Sequence, residues 1–223
     1  MGLSNKELAK YLDHTNLKPD ATKEDIARTC KEAIKYGTAS VCVNPYWVPF
    51  VKNQLANSHV KPITVIGFPL GAIPTAAKVF EAETALEAGA EEIDMVINIG
   101  ELIGKNDVAV KADIESVASV VHAKNKLLKV IIETSFLKED QIVQACKLAE
   151  SGTADYVKTS TGFSSAGAAT ENVALMRQTV GNRLGVKASG GIHSRQEAEA
   201  MIAAGASRLG VSATVKILGE DNM

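Results

Sequence analysis

The sequence predicts one α/β domain over residues 1–223, a parallel eight-stranded (β/α)8 barrel preceded by a short N-terminal helix. Short β-branched runs alternate with amphipathic stretches of roughly ten to eighteen residues from one end of the chain to the other, the pattern of a parallel sheet. Eight such runs occur, which favours closure into a TIM barrel over an open doubly wound sheet. The open-sheet alternative also lacks its motifs, since no GxGxxG follows the first strand and no GxxxxGK[ST] occurs. At 223 residues the chain is near the low end for this barrel, so its loops must be short.

Taken in order, a polar helix over 4–10 precedes strands at 11–15, 40–43, 63–68, 93–98, 129–134, 154–159, 184–188 and 207–212. Two helices between them begin with capping boxes, Thr22 with Asp25 and Ser194 with Glu197, in which side chain and backbone satisfy each other's free donors. Gly37, Gly89, Gly152 and Gly205 stand where a left-handed residue would end a helix. Val110, Ile114, Val117 and Val121 form one apolar stripe at helical spacing, which reads as core. No Pro/Ser-rich linker or break in composition divides the chain.

Composition excludes several classes of function. A formal net charge of −2 gives neither a nucleic-acid footprint nor attraction to an anionic membrane surface. Three widely spaced cysteines, with no CxxC and no Cys/His cluster, argue against a disulfide framework and a structural zinc. The N-terminus lacks the apolar core of a signal peptide, and no apolar run approaches the ~18 residues of a membrane span. The expectation is a soluble cytoplasmic protein with no metal and no cofactor.

Two lysines stand where lysine is least expected. Lys158 and Lys187 each end an apolar strand and are followed at once by a Ser/Thr/Gly loop. Strand alternation places Tyr156 with Lys158, Gly185 with Lys187 and Ser189, and Asp94 with Val96 and Asn98 on the barrel side, because Val and Ile positions suit the helix side. On the fifth strand parity is ambiguous; helix-facing Val130 and Ile132 would put Lys129, Ile131 and Glu133 inside. An ordinary lysine, pKa ~10.4, is protonated at neutral pH, and a useful amine fraction needs a bias of about 4 kcal/mol against the charged form. Burial beside a second ammonium supplies such a bias, and each lysine is expected to ease deprotonation of the other.

The loops after the last three strands, Ser160-Thr161-Gly162, Ser189-Gly190-Gly191 and Gly210-Val211-Ser212, let backbone N–H groups approach an anion, in the usual phosphate position of this fold. An amine nucleophile, a second ammonium, a carboxylate and a phosphate grip suit a Schiff-base carbon–carbon lyase. A phosphosugar isomerase working by acid–base chemistry without an imine is the alternative enzyme, and a silent sugar-phosphate-binding barrel the non-enzymatic one. His59 and His122 read as surface residues; His14 and His193 lie near strand ends, where they could touch substrate. Cys42 turns inward by parity with Ser40 and Asn44, as a small core residue or as a thiol open to aldehydes.

Seven segments in order resemble the deoxyribose-phosphate aldolase family: Leu12-Asp13-His14-Thr15 with Leu17-Lys18-Pro19, Ser40-Val41-Cys42-Val43-Asn44-Pro45, Val65-Ile66-Gly67-Phe68-Pro69-Leu70-Gly71, Glu92-Ile93-Asp94-Met95-Val96-Ile97-Asn98, Lys129-Val130-Ile131-Ile132-Glu133-Thr134, Val157-Lys158-Thr159-Ser160-Thr161-Gly162-Phe163 and Val186-Lys187-Ala188-Ser189-Gly190-Gly191-Ile192. The resemblance implies reversible cleavage of 2-deoxy-D-ribose 5-phosphate to D-glyceraldehyde 3-phosphate and acetaldehyde. It implies Lys158 as the Schiff-base lysine, Asp94 and Lys187 as the proton-transfer pair working with a water, and Thr161, Gly162, Gly190, Gly191, Gly210 and Ser212 around the phosphate. Asp13, Thr15, Cys42 and Lys129 are accessory candidates. Partners are small phosphosugars and aldehydes, not nucleic acid or membrane, and barrels of this family are commonly monomers or homodimers. Two departures stand out: Ala213 replaces a second serine found in some members, and the chain ends Gly219-Glu220-Asp221-Asn222-Met223 without the terminal tyrosine that some members use in proton transfer.

Overall fold

The computed structural model describes residues 2–219. Eight parallel strands, β1 (Leu12–Asn16), β2 (Ser40–Val43), β3 (Lys61–Ile66), β4 (Glu92–Val96), β5 (Leu127–Ile131), β6 (Tyr156–Lys158), β7 (Gly185–Ser189) and β8 (Arg208–Val211), close in sequence order into a TIM barrel, with β1 paired to both β2 and β8. The helices are α1 (Asn5–Ala9), α2 (Lys23–Tyr36), α3 (Val48–Gln54), α4 (Thr75–Ala88), α5 (Ile99–Ile103), α6 (Asp107–Ala123), α7 (Glu139–Ser151), α8 (Thr170–Val180), α9 (Arg195–Ala203) and α10 (Thr214–Leu218). The terminal-tyrosine departure concerns residues 220–223, which lie outside the described residues.

Local chemistry sets several helix ends. Both expected capping boxes form: Thr22 N–H and Ser194 N–H donate to the carboxylates of Asp25 and Glu197 at 3.0 and 2.8 Å. Gly37 and Gly89 end α2 and α4 in the left-handed region, and Gly205 follows α9 at φ +112°. Gly152 departs from expectation, with φ −84° after α7, and the positive φ falls on Thr153. Gly152 is instead a packing glycine, because a Cβ there would sit 2.7 Å from Ile114 Cγ2.

The main core lies between the outer barrel face and the helices. Val41, Ile93, Met95, Val130, Val157 and Val186 meet Ile26, Ala82, Ile142 and the stripe Val110, Ile114, Val117 and Val121, all buried. Each fully buried aliphatic side chain of this kind contributes about 1.5–3 kcal/mol. The apolar runs extend one residue past β4 and β5, where Ile97 and Ile132 stay buried under the helices and still donate backbone N–H bonds to the Ile131 and Lys158 carbonyls at 3.1 and 3.0 Å. Lys78 of α4 is also wholly buried, with Nζ donating to Asp113 of α6 at 2.5 Å and to the Val96 carbonyl at 2.9 Å, which ties two helices to the end of β4.

The barrel interior divides in two. On the β2–β3 side, Cys42, Ile63 and Val65 pack with Leu17 in a small apolar cluster separate from the main core, with Phe68 against it. The opposite half, from β4 round to β1, is filled with charge. Gly185 makes this half possible: a Cβ there would fall 2.1 Å from the Tyr156 ring on the adjacent strand.

Candidate active site

Strand alternation sends Asp94, Lys129, Lys158, Lys187, Arg208, Asp13 and Glu92 toward one another inside the barrel. Asp94 is the hub. Its Oδ2 accepts from Lys158 Nζ at 2.9 Å and Lys187 Nζ at 2.7 Å, and its Oδ1 accepts from Lys129 Nζ at 3.0 Å. Lys187 also pairs with Asp13 Oδ2 at 2.5 Å, and Lys129 with Glu92 Oε2 at 2.5 Å. Arg208 bridges Asp13 and Glu92 at 2.5 and 3.0 Å, and Ser40 Oγ–H donates to Asp13 at 2.6 Å. The inward parity of Lys129, left open by the sequence, is thereby resolved.

Four cations of this cluster, Lys129, Lys158, Lys187 and Arg208, therefore face three carboxylates, Asp13, Glu92 and Asp94. Lys61 reaches Glu92 from a half-exposed position at 3.2 Å. The uneven sharing separates the two lysines that the sequence treats as equivalent. Burial and the neighbouring Lys187 charge push Lys158 below the ordinary lysine range against the pull of Asp94. Lys187 moves the other way: burial opposes its charge, but the carboxylates of Asp13 and Asp94 outweigh it. The expected mutual lowering is thus corrected, because Lys187 holds two carboxylates at close range and Lys158 only a share of one. Asp94 lies well below the usual carboxylate range: burial opposes its charge and three ammonium groups prevail.

Above the cluster opens a cavity of about 500 Å3 at the C-terminal end of the barrel, walled by the loops after β1, β6, β7 and β8. Of the four clustered cations, Lys158 alone lines it. Thr15, Thr161, Gly162, Gly190, Gly191, Gly210 and Ser212 also line it, whereas Asp13, Asp94, Lys129, Lys187 and Cys42 do not. Cys42 is buried in the apolar half, and burial pushes its thiol up to about 11. Thr15 turns its hydroxyl to its own strand, donating to the Asp13 carbonyl at 2.8 Å.

The loops after β6 and β7 interlock. A Cβ on Gly167 would fall 2.2 Å from the Gly190 carbonyl oxygen, so only glycine allows that approach, and Ala168 N–H donates to the same carbonyl at 3.0 Å. Gly162, Gly190 and Gly191 have φ of +84°, +80° and +76°. Among the described residues no protein acceptor takes their N–H groups. Such a concave run of free donors suits an anion. Gly210 serves a different contact, because a Cβ there would press on Ser189 Cβ at 3.0 Å and the Lys187 stem at 3.2 Å. Thr161 also differs from expectation. Its N–H and Oγ–H both donate to Glu133 Oε2, at 3.0 and 2.5 Å, so its donors are already engaged.

His14 and His193 both line the cavity. His14 is buried between Glu32, at 2.7 Å from Nε2, and Thr214, at 2.8 Å from Nδ1, and burial lowers its pKa against the pull of Glu32. His193 is exposed. Phe163 of the cavity wall meets Phe68 edge-on at 5.2 Å between centroids.

Comparison with known proteins gives this arrangement a family. A model described as DeoC/LacD family aldolase matches residues 8–218. The chain belongs to that family. It is 55% identical to deoxyribose-phosphate aldolase 1 of Oceanobacillus iheyensis over 212 residues, covering 95% of this chain and 96% of that one. It is likewise 55% identical to the deoxyribose-phosphate aldolase of Thermococcus kodakarensis over 218 residues, 97% of each. Among solved structures, a putative deoxyribose-phosphate aldolase from Coccidioides immitis superposes with a TM-score of 0.93 at 43% identity, covering 97% of this chain and 86% of that one. The Aeropyrum pernix deoxyribose phosphate aldolase, described as a unique tetramer, gives 0.90 at 33% identity over 96% and 91% of the two chains. Membership of the DeoC/LacD family makes the chain an enzyme, an aldolase. Among the described residues no helix is long and apolar enough to cross a membrane.

Two buried residues of this cluster, Glu92 and Arg208, were not singled out by sequence reasoning, and Glu133 was placed inside only conditionally. Glu92 shares parity with Asp94, but the predicted strand began one residue after it. Arg208 shares parity with Gly210 on β8. Glu133 follows β5, where parity was undecided. The available signal was a charged residue at an inward position of a short apolar strand.

Proposed function

We propose that this aldolase reversibly cleaves 2-deoxy-D-ribose 5-phosphate to D-glyceraldehyde 3-phosphate and acetaldehyde through an imine on Lys158, residues 1–223 acting as one catalytic domain in the cytoplasm. The carrying observation is that Lys158 alone of the four clustered cations reaches the cavity, and it is the one whose charged form is disfavoured. With Lys158 neutral, the remaining three cations balance three carboxylates.

In this reading the 5-phosphate rests on the N–H groups of Gly162, Gly190 and Gly191 beside Gly210 and Ser212. The neutral Lys158 amine attacks the C1 aldehyde and water leaves, giving a protonated imine. Loss of the C3 hydroxyl proton then breaks the C2–C3 bond, its electron pair passes into the iminium, and glyceraldehyde 3-phosphate departs. The resulting enamine takes a proton at C2, and hydrolysis releases acetaldehyde and regenerates the amine. Asp94 and Lys187 are the proton-transfer pair, acting through a water at the cavity floor. Their direct bond at 2.7 Å supports a shared role, and Asp13 keeps Lys187 charged between turnovers. Thr15, Cys42 and Lys129 support the site without touching substrate in this scheme, Lys129 by holding Asp94.

Borohydride added with acetaldehyde should leave a stable two-carbon adduct on Lys158, located by peptide mass spectrometry. Folded protein that yields no adduct would sink the imine route.

A further inference from the structure

Glu133 has no place in the chemistry above, yet it is 1% exposed and holds φ +54°, a left-handed conformation that a residue with a side chain adopts only when its surroundings impose it. It follows the last residue pairs of β5, and its backbone bends there so that the carboxylate reaches the loop after β6. Both carboxylate oxygens are used. Oε2 accepts the N–H and the hydroxyl of Thr161, and Oε1 accepts Ser164 Oγ–H at 2.9 Å. Thr161 Oγ in turn accepts the Phe163 N–H at 3.0 Å, and Ser135 Oγ–H donates to Ser164 at 3.0 Å. Gly162, with its free N–H and φ of +84°, lies inside the segment so clamped.

We propose that Glu133 is a positioning residue that sets the preference for a phosphorylated over an unphosphorylated sugar. It does so by fixing the loop from Thr161 to Ser164 so that the Gly162 N–H faces the anion alongside Gly190. The clamp consumes the donors of Thr161, so the residue expected to grip phosphate instead shapes the loop that does. A carboxylate suits this task because it accepts three donors at once, whereas an amide accepts at one oxygen only. This role rests on the reading that the cavity takes a sugar phosphate.

The test compares kcat/KM for 2-deoxyribose 5-phosphate with kcat/KM for 2-deoxyribose in the parent, Glu133→Gln and Ser164→Ala. Loss of a hydrogen bond to a charged group predicts a preference ratio reduced about ten- to a hundredfold in Glu133→Gln and less in Ser164→Ala. The borohydride-trapped adduct with acetaldehyde should still form in both. Ser164 is partly exposed, so its variant keeps the test alive if Glu133→Gln does not fold. A general structural role would lower both substrates together and leave the ratio unchanged. Variants that keep the parent's ratio overturn the role alone. A parent with no preference overturns the substrate reading and this role with it.

Discussion

Replacing Lys187 by methionine removes one ammonium from the cluster while keeping a long unbranched side chain. Lys158 Nζ and Lys187 Nζ bond the same Asp94 oxygen, at 2.9 and 2.7 Å. Their nitrogens therefore lie no more than about 5.6 Å apart, and at an effective dielectric of ~20 two like charges at that distance repel by about 3 kcal/mol. Without Lys187 that repulsion vanishes, and Asp94 is freed to pair with Lys158. Both changes favour the ammonium form, so the neutral amine fraction at pH 7 falls about a hundredfold. The assay is the initial rate of imine formation with acetaldehyde, trapped by borohydride, from pH 6 to 10 (roughly, the range over which lysines in such sites titrate). The variant should be slower at neutral pH, and its acid limb should move to higher pH with partial recovery at the alkaline end. Full turnover should not recover, because the second proton-transfer group is gone. A variant whose trapping profile overlays the parent's would refute the claim that Lys187 disfavours the charged form of Lys158. Thermal melting controls for folding, since unpairing buried charge costs about 3–5 kcal/mol.

Asp94→Asn removes the counter-ion shared by three ammonium groups, so turnover should fall at least ~100-fold and stability by about 3–5 kcal/mol in urea unfolding. Stability should depend on pH on the acid side. Asp13, Glu92 and Asp94 are held below the ordinary carboxylate range by their cationic neighbours, which overcome burial. A depressed carboxylate contributes in full above its unfolded value and loses that contribution as pH falls through its folded one, so the urea midpoint should drop steeply below about pH 5. A smaller decline should begin below about pH 7, as the unfolded chain protonates His14, which burial disfavours in the fold. Finally, burial pushes the Cys30, Cys42 and Cys146 thiols up to about 11, 11 and 12, so iodoacetamide at neutral pH should leave all three unmodified in the folded protein and label them in urea.

What could be read from the sequence is what local periodicity encodes. Strand alternation carried Asp94, Lys158 and Lys187 to one interior, and the capping boxes at Thr22 and Ser194 marked helix starts that the structure repeats. Both signals depend on neighbours within a few residues, so a single chain displays them. The strand ends were less legible: Ile97 and Ile132, just past the ends of β4 and β5, are as apolar as strand residues because helices cover them, and burial alone does not reveal where a strand ends.

The sequence by itself determined a (β/α)8 barrel with an inward lysine pair beside an aspartate and glycine loops at the expected anion end. Only the tertiary structure decided what each charge does. Lys158 and Lys187 occupy the same position on adjacent strands and are registered side by side, so nothing local distinguishes them. Asp13, from the far end of the chain, and Asp94 complete the difference by holding Lys187 charged, while Lys158 reaches the cavity with a share of one carboxylate. Thr161 exchanged its expected contact for Glu133 in the same way. Electrostatic roles are sums over all neighbours in space, and barrel closure brings together residues that sequence spacing keeps apart.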